Sequence, residues 1–299
     1  MNLIFKKYNI LFGIIVGIVF IISAIMKLNT IDSFEIYIYS LNIFNLNESF
    51  IFSRLVISLE LILGILLMIR LHSKKVLIFT ILILLIFISY ITYLMLIGKN
   101  EHCHCFGDNL QISHPLSIFK NVILIILLVL SIPSKSKSIK FQKSIFLTII
   151  IIGAAIPFII SPPDSFRIDQ YSAKSTYNKV FLNTYLNNNQ LNKGRYVICF
   201  FATKCRFCKL SANKLNIIIK KSIKKDIFLN VFWGDKKSIA EFYSKTGTNI
   251  LPYKSLSGNE FLKITNGKMP LIILVNNGEV IKNYGYRSII DKEIIDFAK

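Results

Sequence analysis

Two cysteine pairs hold the chemistry legible in this chain. The first is Cys205-Arg206-Phe207-Cys208. Two thiols at this spacing close a small disulfide ring when a helix starts at the first of them. Free backbone N–H groups and the helix dipole then stabilise a thiolate at that position. Lys204 and Arg206 flank Cys205 and favour the same charge state. Cys205 is therefore read as the attacking nucleophile and Cys208 as the resolving thiol. A zinc site would need a second C-x-x-C or a pair of histidines nearby, and residues 161–299 contain no histidine. The remaining cysteine of this region, Cys199, lies inside the apolar run YVICFFA and reads as a buried structural thiol.

The second pair sits in EHCHCFGD, residues 101–108, where Cys103 and Cys105 alternate with His102 and His104. A C-x-C disulfide closes a tight ring, and strain makes such a bond easier to reduce. The main reading is a second redox pair. The alternative is a zinc or copper site on His102, Cys103, His104 and Cys105, with His114 ten residues on. Alternate residues of an extended loop point to opposite faces, which scatters those ligands. A structural disulfide or idle thiols are the third reading.

The elements that must position these pairs follow from the apolar pattern. The chain has 299 residues, 53% of them hydrophobic, and a mean hydropathy of +0.55, far above a soluble protein of this length. Five runs are nearly free of charge: Phe12 to Met26, Leu55 to Ile69, Val76 to Ile97, Val122 to Ile132 and Ile145 to Ile160. With about 20 apolar residues needed to span a bilayer core, they predict five membrane helices, the last two extended into their flanks. The first run lacks an A-x-A cleavage pattern and is read as a retained helix rather than a signal peptide.

Charge sets the orientation. Lys6 and Lys7 precede the first helix, Arg70, His72, Lys74 and Lys75 fill the second turn, and Lys135, Lys137, Lys140 and Lys143 fill the fourth. The alternate loops are poor in base. The positive-inside rule therefore predicts a cytoplasmic N-terminus, with residues 98–115 and everything after the fifth helix on the outer side of a bacterial inner membrane. All five cysteines then lie in a compartment that permits disulfides. Residues 31–42, IDSFEIYIYSLN, are expected along the outer membrane surface. Lys27, Arg54, Lys99 and Lys120 near the outer helix ends read as snorkelling anchors or as a cationic ring near the loop cysteines. Glu60 lies about 9 Å deeper than Arg54 and should face the bundle interior as a proton or quinone site, or pair with a base. The net charge is +20, of which +13 falls on residues 161–299. Those lysines form no stripe interleaved with aromatics, so a nucleic-acid partner is set aside in favour of an anionic lipid surface.

After Pro162-Pro163 the pattern changes. Tyr196 to Ala202 predicts a buried strand, the C-x-x-C segment a helix start, Asp226 to Gly234 a second strand, and residues 235–246 a helix. Leu271 to Val275 and Glu279 to Tyr284 flank Asn276-Asn277-Gly278, a hairpin signal, and residues 288–298 close as a helix. Residues 248–268 are read as an inserted cover over the site.

This order resembles the thioredoxin fold over residues 175–299. Phe200-Phe201-Ala202-Thr203-Lys204-Cys205-Arg206-Phe207-Cys208 resembles the F-W-A-x-W-C-x-x-C segment of the extracytoplasmic TlpA and ResA type, with Phe201 and Lys204 in place of tryptophans. Met269-Pro270 stands where that family keeps a cis-proline beside the active disulfide, which implies a site role for Pro270. The first part resembles the DoxX-like membrane proteins of the methylamine-utilisation MauE branch. Ser23-Ala24-Ile25-Met26-Lys27, Glu60-Leu61-Ile62-Leu63-Gly64 and Cys103-His104-Cys105-Phe106-Gly107 are similar to its S-G-x-x-K, L-E-x-x-x-G and C-G-C-F-G signatures, with His104 in place of a glycine. That resemblance implies a four-helix bundle over 1–132 that works with a thioredoxin-like partner in maturing a periplasmic dehydrogenase. Here both would be fused through a basic turn and fifth helix at 133–160 and a linker at 161–174, which raises the effective concentration of one thiol pair at the other. The expected fold is an α-helical membrane bundle followed by an α/β thioredoxin-like domain. The expected activity is thiol–disulfide exchange between extracytoplasmic client proteins, Cys205–Cys208 and Cys103–Cys105. Oxidation of clients is favoured, with a membrane quinone as acceptor, because no cysteine is reachable from the cytoplasm. A metal or cofactor maturation factor, and a transporter with an accessory redox domain, are the other readings.

Overall fold

The computed structural model describes residues 2–71, 73–97, 113–131, 141–174, 176–248 and 251–299. The chain divides into two compact units, one of Met1–Tyr37 with Ile51–Pro162 and one of Ile38–Phe50 with Pro163–Lys299.

The first unit is helical. Its long apolar helices are α1 (Asn2–Asn29), α3 (Leu46–Ile69), α4 (Ser73–Leu96) and α6 (Gln142–Ile160), with the shorter α5 (His114–Leu130). All but α5 are long and apolar enough to cross a membrane. Val16 and Phe20 of α1, Leu63, Leu66 and Leu67 of α3, Val76, Leu77 and Leu84 of α4, and Leu124 and Leu128 of α5 share one core. The opposite faces stay apolar and exposed, as at Ile15, Ile18 and Ile22 of α1 and Ile78, Leu82 and Leu85 of α4, the pattern of helices solvated by lipid. Helices α1 and α3 meet at glycines. A β-carbon on Gly17 would lie 2.7 Å from the Gly64 carbonyl oxygen, so only glycine permits this approach. Helix α6 packs on α3, where Gly153 faces Ile62 and Ser58 donates to the Ala154 carbonyl at 3.3 Å.

The segment expected along the membrane surface forms helix α2 (Ile31–Ser40), but Phe34, Ile36, Ile38 and Tyr39 are buried by protein. Its mixed pattern reflects burial on several sides rather than one lipid-facing stripe.

In the second unit, residues 161–174, read from sequence as linker, hold a 3-10 turn (Asp164–Arg167) and helix α7 (Ile168–Lys174). Helix α8 (Lys179–Asn188), capped by the Asn178 side chain, leads to the sheet. Strand β1 (Arg195–Ala202) is buried continuously from Val197 on, as a central strand covered on both faces must be. It runs parallel to β2 (Phe228–Trp233), which runs parallel to the short β3 (Tyr253–Ser255), and antiparallel to β4 (Leu271–Asn276). β4 pairs with β5 (Glu279–Tyr284) through a turn with positive φ at Asn277 and Gly278, as the Asn-Gly signal requires. The described sheet order is β3-β2-β1-β4-β5. One face packs Ile198, Phe200 and Ile273 against α8 and α11 (Gly258–Thr265). On the other, Phe201 stacks on Phe242 of α10 (Lys236–Thr246) with rings 5.6 Å apart, beside α9 (Arg206–Lys221) and α12 (Asp291–Phe297).

Of residues 248–268, expected as an inserted cover, 251–265 belong to the domain's own layers, while Gly267 and Lys268 line a cavity. Residues 251–265 supply the edge strand β3 and helix α11, with Leu256 N–H donating to the Phe232 carbonyl at 2.9 Å. The segment looked long because β3 is only three residues and leaves no strand pattern.

Residues 38–50 are part of this second unit. Leu46 N–H donates to the Asp291 carboxylate at 3.0 Å, the Lys221 ammonium lies 4.2 Å from the Tyr39 ring centre, and Lys214 lies 5.0 Å from that of Phe50.

Candidate active site

At the carboxyl edge of the parallel strands, Ala202 is in register with Trp233. The chain leaves β1 through a tight turn. Thr203 N–H donates to the Trp233 carbonyl at 3.2 Å, and its hydroxyl contacts Ser238 at 3.1 Å. Gly234 opposite is obligatory, because a β-carbon there would lie 2.5 Å from the Thr203 side chain. This turn delivers Cys205 as the N-cap of α9. Its φ of −76° and ψ of 122° are extended, and its sulfur accepts the Cys208 N–H at 3.3 Å.

The two thiols are reduced and differ in environment. Cys205 is partly exposed and Cys208 is buried. The Cys205 thiol is held down at about 6 from the ordinary 9.0. The hydrogen bond from the Cys208 side chain is the main cause, helped by the backbone N–H groups of Cys208 and Phe207 and by Lys209, with burial opposing. Cys208 moves the other way: burial pushes its thiol well above the ordinary range, and the hydrogen bond to Cys205 adds to this. At neutral pH the pair therefore presents one accessible thiolate backed by one protonated thiol, as nucleophilic exchange requires. Cys199, in the middle of β1, is fully buried and kept neutral by desolvation.

Lys204 and Arg206 flank Cys205 in sequence. In the structure Lys209, one helical turn on, also lowers the Cys205 thiol. The i, i+4 spacing of Cys205 and Lys209 was visible in the sequence.

A cavity of about 380 Å3 is lined by Phe207, which stands between the two cysteines in the chain. Phe207 forms one wall, packed on Tyr286 at 5.2 Å, and Pro270 forms another. The Met269–Pro270 peptide bond is cis. Tyr171, Tyr286 and Arg287 also line the cavity, and none of them carried a sequence signal.

The first unit holds a polar cluster among its helices. Glu60 of α3 pairs with Lys27 of α1, and Ser23 bridges them, donating to Glu60 and accepting from Lys27, both at 3.1 Å. Lys120 of α5 feels the charge of both. Lys27 and Arg54 are not snorkelling anchors. Both are buried, and Arg54 pairs with Glu35 and donates to the carbonyls of Ser161, at 2.8 Å, and Pro162, at 3.3 Å. Each cation has a carboxylate partner at the same depth, which a lipid-facing anchor would not need. A stripe of buried polar residues on α5, His114, Ser117 and Asn121, follows the i, i+3, i+7 spacing of one helix face. Cys103, Cys105, His102 and His104 lie outside the described residues. Among the described residues no three of His, Cys, Asp and Glu gather as a metal site.

Residues 6–134 match the family of the methylamine utilisation protein MauE and form a MauE-type membrane domain. Protein TlpB of Flavobacterium psychrophilum is 25% identical over 363 aligned positions, covering 96% of this chain and 96% of TlpB. No solved structure matches the chain.

Proposed function

We propose that this protein is a membrane-anchored thiol–disulfide oxidoreductase whose second unit is a thioredoxin-like domain. The observation that supports this most is the split between Cys205, held as a thiolate at the N-cap of α9, and Cys208, held as a thiol behind it. The strand–C-x-x-C–helix order, the mixed sheet and the cis Met269–Pro270 bond on the cavity that Phe207 also lines support the fold assignment. The match over residues 6–134 and the full-length likeness to TlpB support treating both parts as one working chain.

In this reading the second unit and the loop of Cys103 and Cys105 both face outward. Cys205 thiolate attacks a client disulfide sulfur, or a client thiolate attacks an oxidised Cys205. Either way one S–S bond breaks as another forms, and Cys208 resolves the mixed disulfide. Exchange with Cys103–Cys105 passes two electrons on. Net client oxidation converts two thiols to a disulfide and releases two electrons and two protons, which a membrane quinone accepts as it becomes a quinol. The Glu60–Lys27–Ser23 cluster is the polar site proposed for that acceptor or its protons.

The test is thiol trapping in intact cells with a mass-adding, membrane-impermeant alkylating reagent. Cys208→Ser should accumulate mixed disulfides through Cys205, some of them to Cys103 or Cys105. Loop thiols that stay reduced and unconnected in every variant would sink the relay, and Cys205 unreachable from outside would sink the topology.

A further inference from the structure

We propose that Ser238, in the first turn of α10, is a positioning residue for the nucleophile: it anchors the Thr203 hydroxyl and so fixes the turn that presents Cys205 at the start of α9. This rests on the thiol-exchange reading above and adds to its machinery a residue that lies outside the C-x-x-C segment.

Residues 202–205 form the tight turn out of β1. Cys205 N–H donates to the Ala202 carbonyl at 3.1 Å and closes it. That bond fixes the span of the turn but not its tilt. Thr203, the first of the two central residues, sets the tilt. Its side chain is buried, and its hydroxyl donates to the Ser238 hydroxyl at 3.1 Å. Ser238 donates in turn to the Asp235 carbonyl at 3.0 Å. The Trp233 carbonyl, 3.5 Å from the Thr203 hydroxyl, is the poorer acceptor and already receives the Thr203 N–H at 3.2 Å. Ser238 is itself held, because its N–H donates at 2.8 Å to the side chain of Asp235, the N-cap of α10. The turn is therefore tied to a capped helix end.

Gly234 makes this approach possible. A β-carbon there would lie 2.5 Å from Thr203 Oγ1 and Cγ2 and 2.9 Å from Ser238 Oγ, so any side chain would part the two hydroxyls.

The reactivity of Cys205 depends on the aim of its sulfur. The groups that hold its thiol near 6, Cys208, Phe207 and Lys209, all lie on α9. Hydrogen bonds weaken as they leave alignment, and Cys205 follows Thr203 by two residues. A turn released from Ser238 swings the sulfur off the N–H groups of α9. The thiol then moves back towards its ordinary 9.0, although no group that touches it has been removed.

The test follows alkylation of Cys205 by iodoacetamide against pH in the full-length reduced protein, read by mass spectrometry of the Cys205 peptide. Thr203→Val keeps the side-chain shape and removes the donor, and Ser238→Ala removes its acceptor. Each should raise the midpoint by about half a pH unit, the size set by one neutral hydrogen bond. The double variant should shift it no further than the larger single shift, since both changes break the same bond. Thr203→Ser, which keeps a hydroxyl, should restore the wild-type midpoint. Thr246→Val, at the far end of α10, removes a buried hydroxyl that donates to the Phe242 carbonyl and meets the Thr248 hydroxyl. It should lower the thermal midpoint and leave the alkylation profile unchanged. If Thr203→Val fails to fold, Ser238→Ala, at a half-buried position, decides alone. A folded Ser238→Ala protein with the wild-type profile, or an equal shift in Thr246→Val, overturns the proposal while leaving thiol exchange standing. A wild-type Cys205 that titrates at the ordinary 9.0 overturns the thiolate reading and this one with it.

Discussion

The Nε of Arg54 in α3 donates to the carbonyl of Ser161, just past the end of α6, at 2.8 Å. The same guanidinium pairs with Glu35 of α2. One buried side chain thus joins three helices and satisfies carbonyls that the end of α6 leaves without intrahelical donors. Arg54→Met should cost about 3–5 kcal/mol, because it removes the cation paired with the buried Glu35 carboxylate. Arg54→Met combined with Glu35→Leu should be less destabilised than Arg54→Met alone, since no buried charge is left behind. Unfolding in detergent by SDS titration checks the order. A double variant weaker than the single one would contradict the account.

The thiolate at Cys205 sets a pH profile. Alkylation of Cys205 by iodoacetamide in the reduced protein should rise with a midpoint near pH 6, not at the ordinary thiol value of 9.0. Cys208→Ala should move the midpoint up, because the Cys208 side-chain hydrogen bond is the largest cause of the depression. Lys209→Gln should move it up less. Linkage fixes the sign for stability. The folded value of about 6 lies below the ordinary 9.0, so this group's contribution is complete above about 9 and is lost as pH falls through about 6. The reduced protein should therefore gain stability between pH 6 and pH 8, read as a shift in thermal midpoint.

The contact of Gly17 with Gly64 leaves no room for a methyl group. A β-carbon on Gly64 would stand 2.7 Å from Ile21 Cγ1 and 2.9 Å from the Gly17 carbonyl oxygen. Gly64→Ala gains up to about 1 kcal/mol of helix propensity, but the backbone clash costs about 1–3 kcal/mol. Net destabilisation is expected, larger for Gly64→Val, and thermal unfolding of the two variants in detergent measures it. A Gly64→Ala protein more stable than the wild type would show that the helices separate without cost.

Residues 38–50 complete the second unit, so residues 163–299 expressed alone should be less stable than when that segment is supplied. Leu46 is fully buried, and Leu46→Ala should cost about 2–5 kcal/mol. A synthetic peptide of residues 38–50 added to the 163–299 fragment should raise its thermal midpoint in a concentration-dependent way. No shift at millimolar peptide would mean that the segment adds nothing to this fold.

Much of this architecture is legible in local pattern. YVICFFA reads as a buried strand because every position is apolar, Asn-Gly marks its turn by backbone conformation, and the five apolar runs became α1, α3, α4, α5 and α6. These signals involve residues within one or two turns of each other. What escaped is long-range. Glu60 finds Lys27 across 33 residues, Arg54 finds Ser161 across 107, and Arg287 finds Asp164 across 123. Each of those side chains is compatible with several partners, and only the packed chain selects one. The residues around Cys205 show both cases. The nucleophile and its helix were visible in the C-x-x-C, but Tyr171 and Arg287 were not, because the wall they build comes from segments more than 100 residues apart.

The bond from Leu46 to Asp291 spans 245 residues. A ribosome completes residues 38–50 long before it reaches 163–299, so the second unit cannot be finished as its first piece emerges. Residues 38–50 must stay available while the intervening helices are made, until Asp291 has been synthesised. A chain stalled or clipped before Asp291 therefore leaves Tyr39, Leu46 and Phe50 uncovered, a signal that quality-control proteases could read.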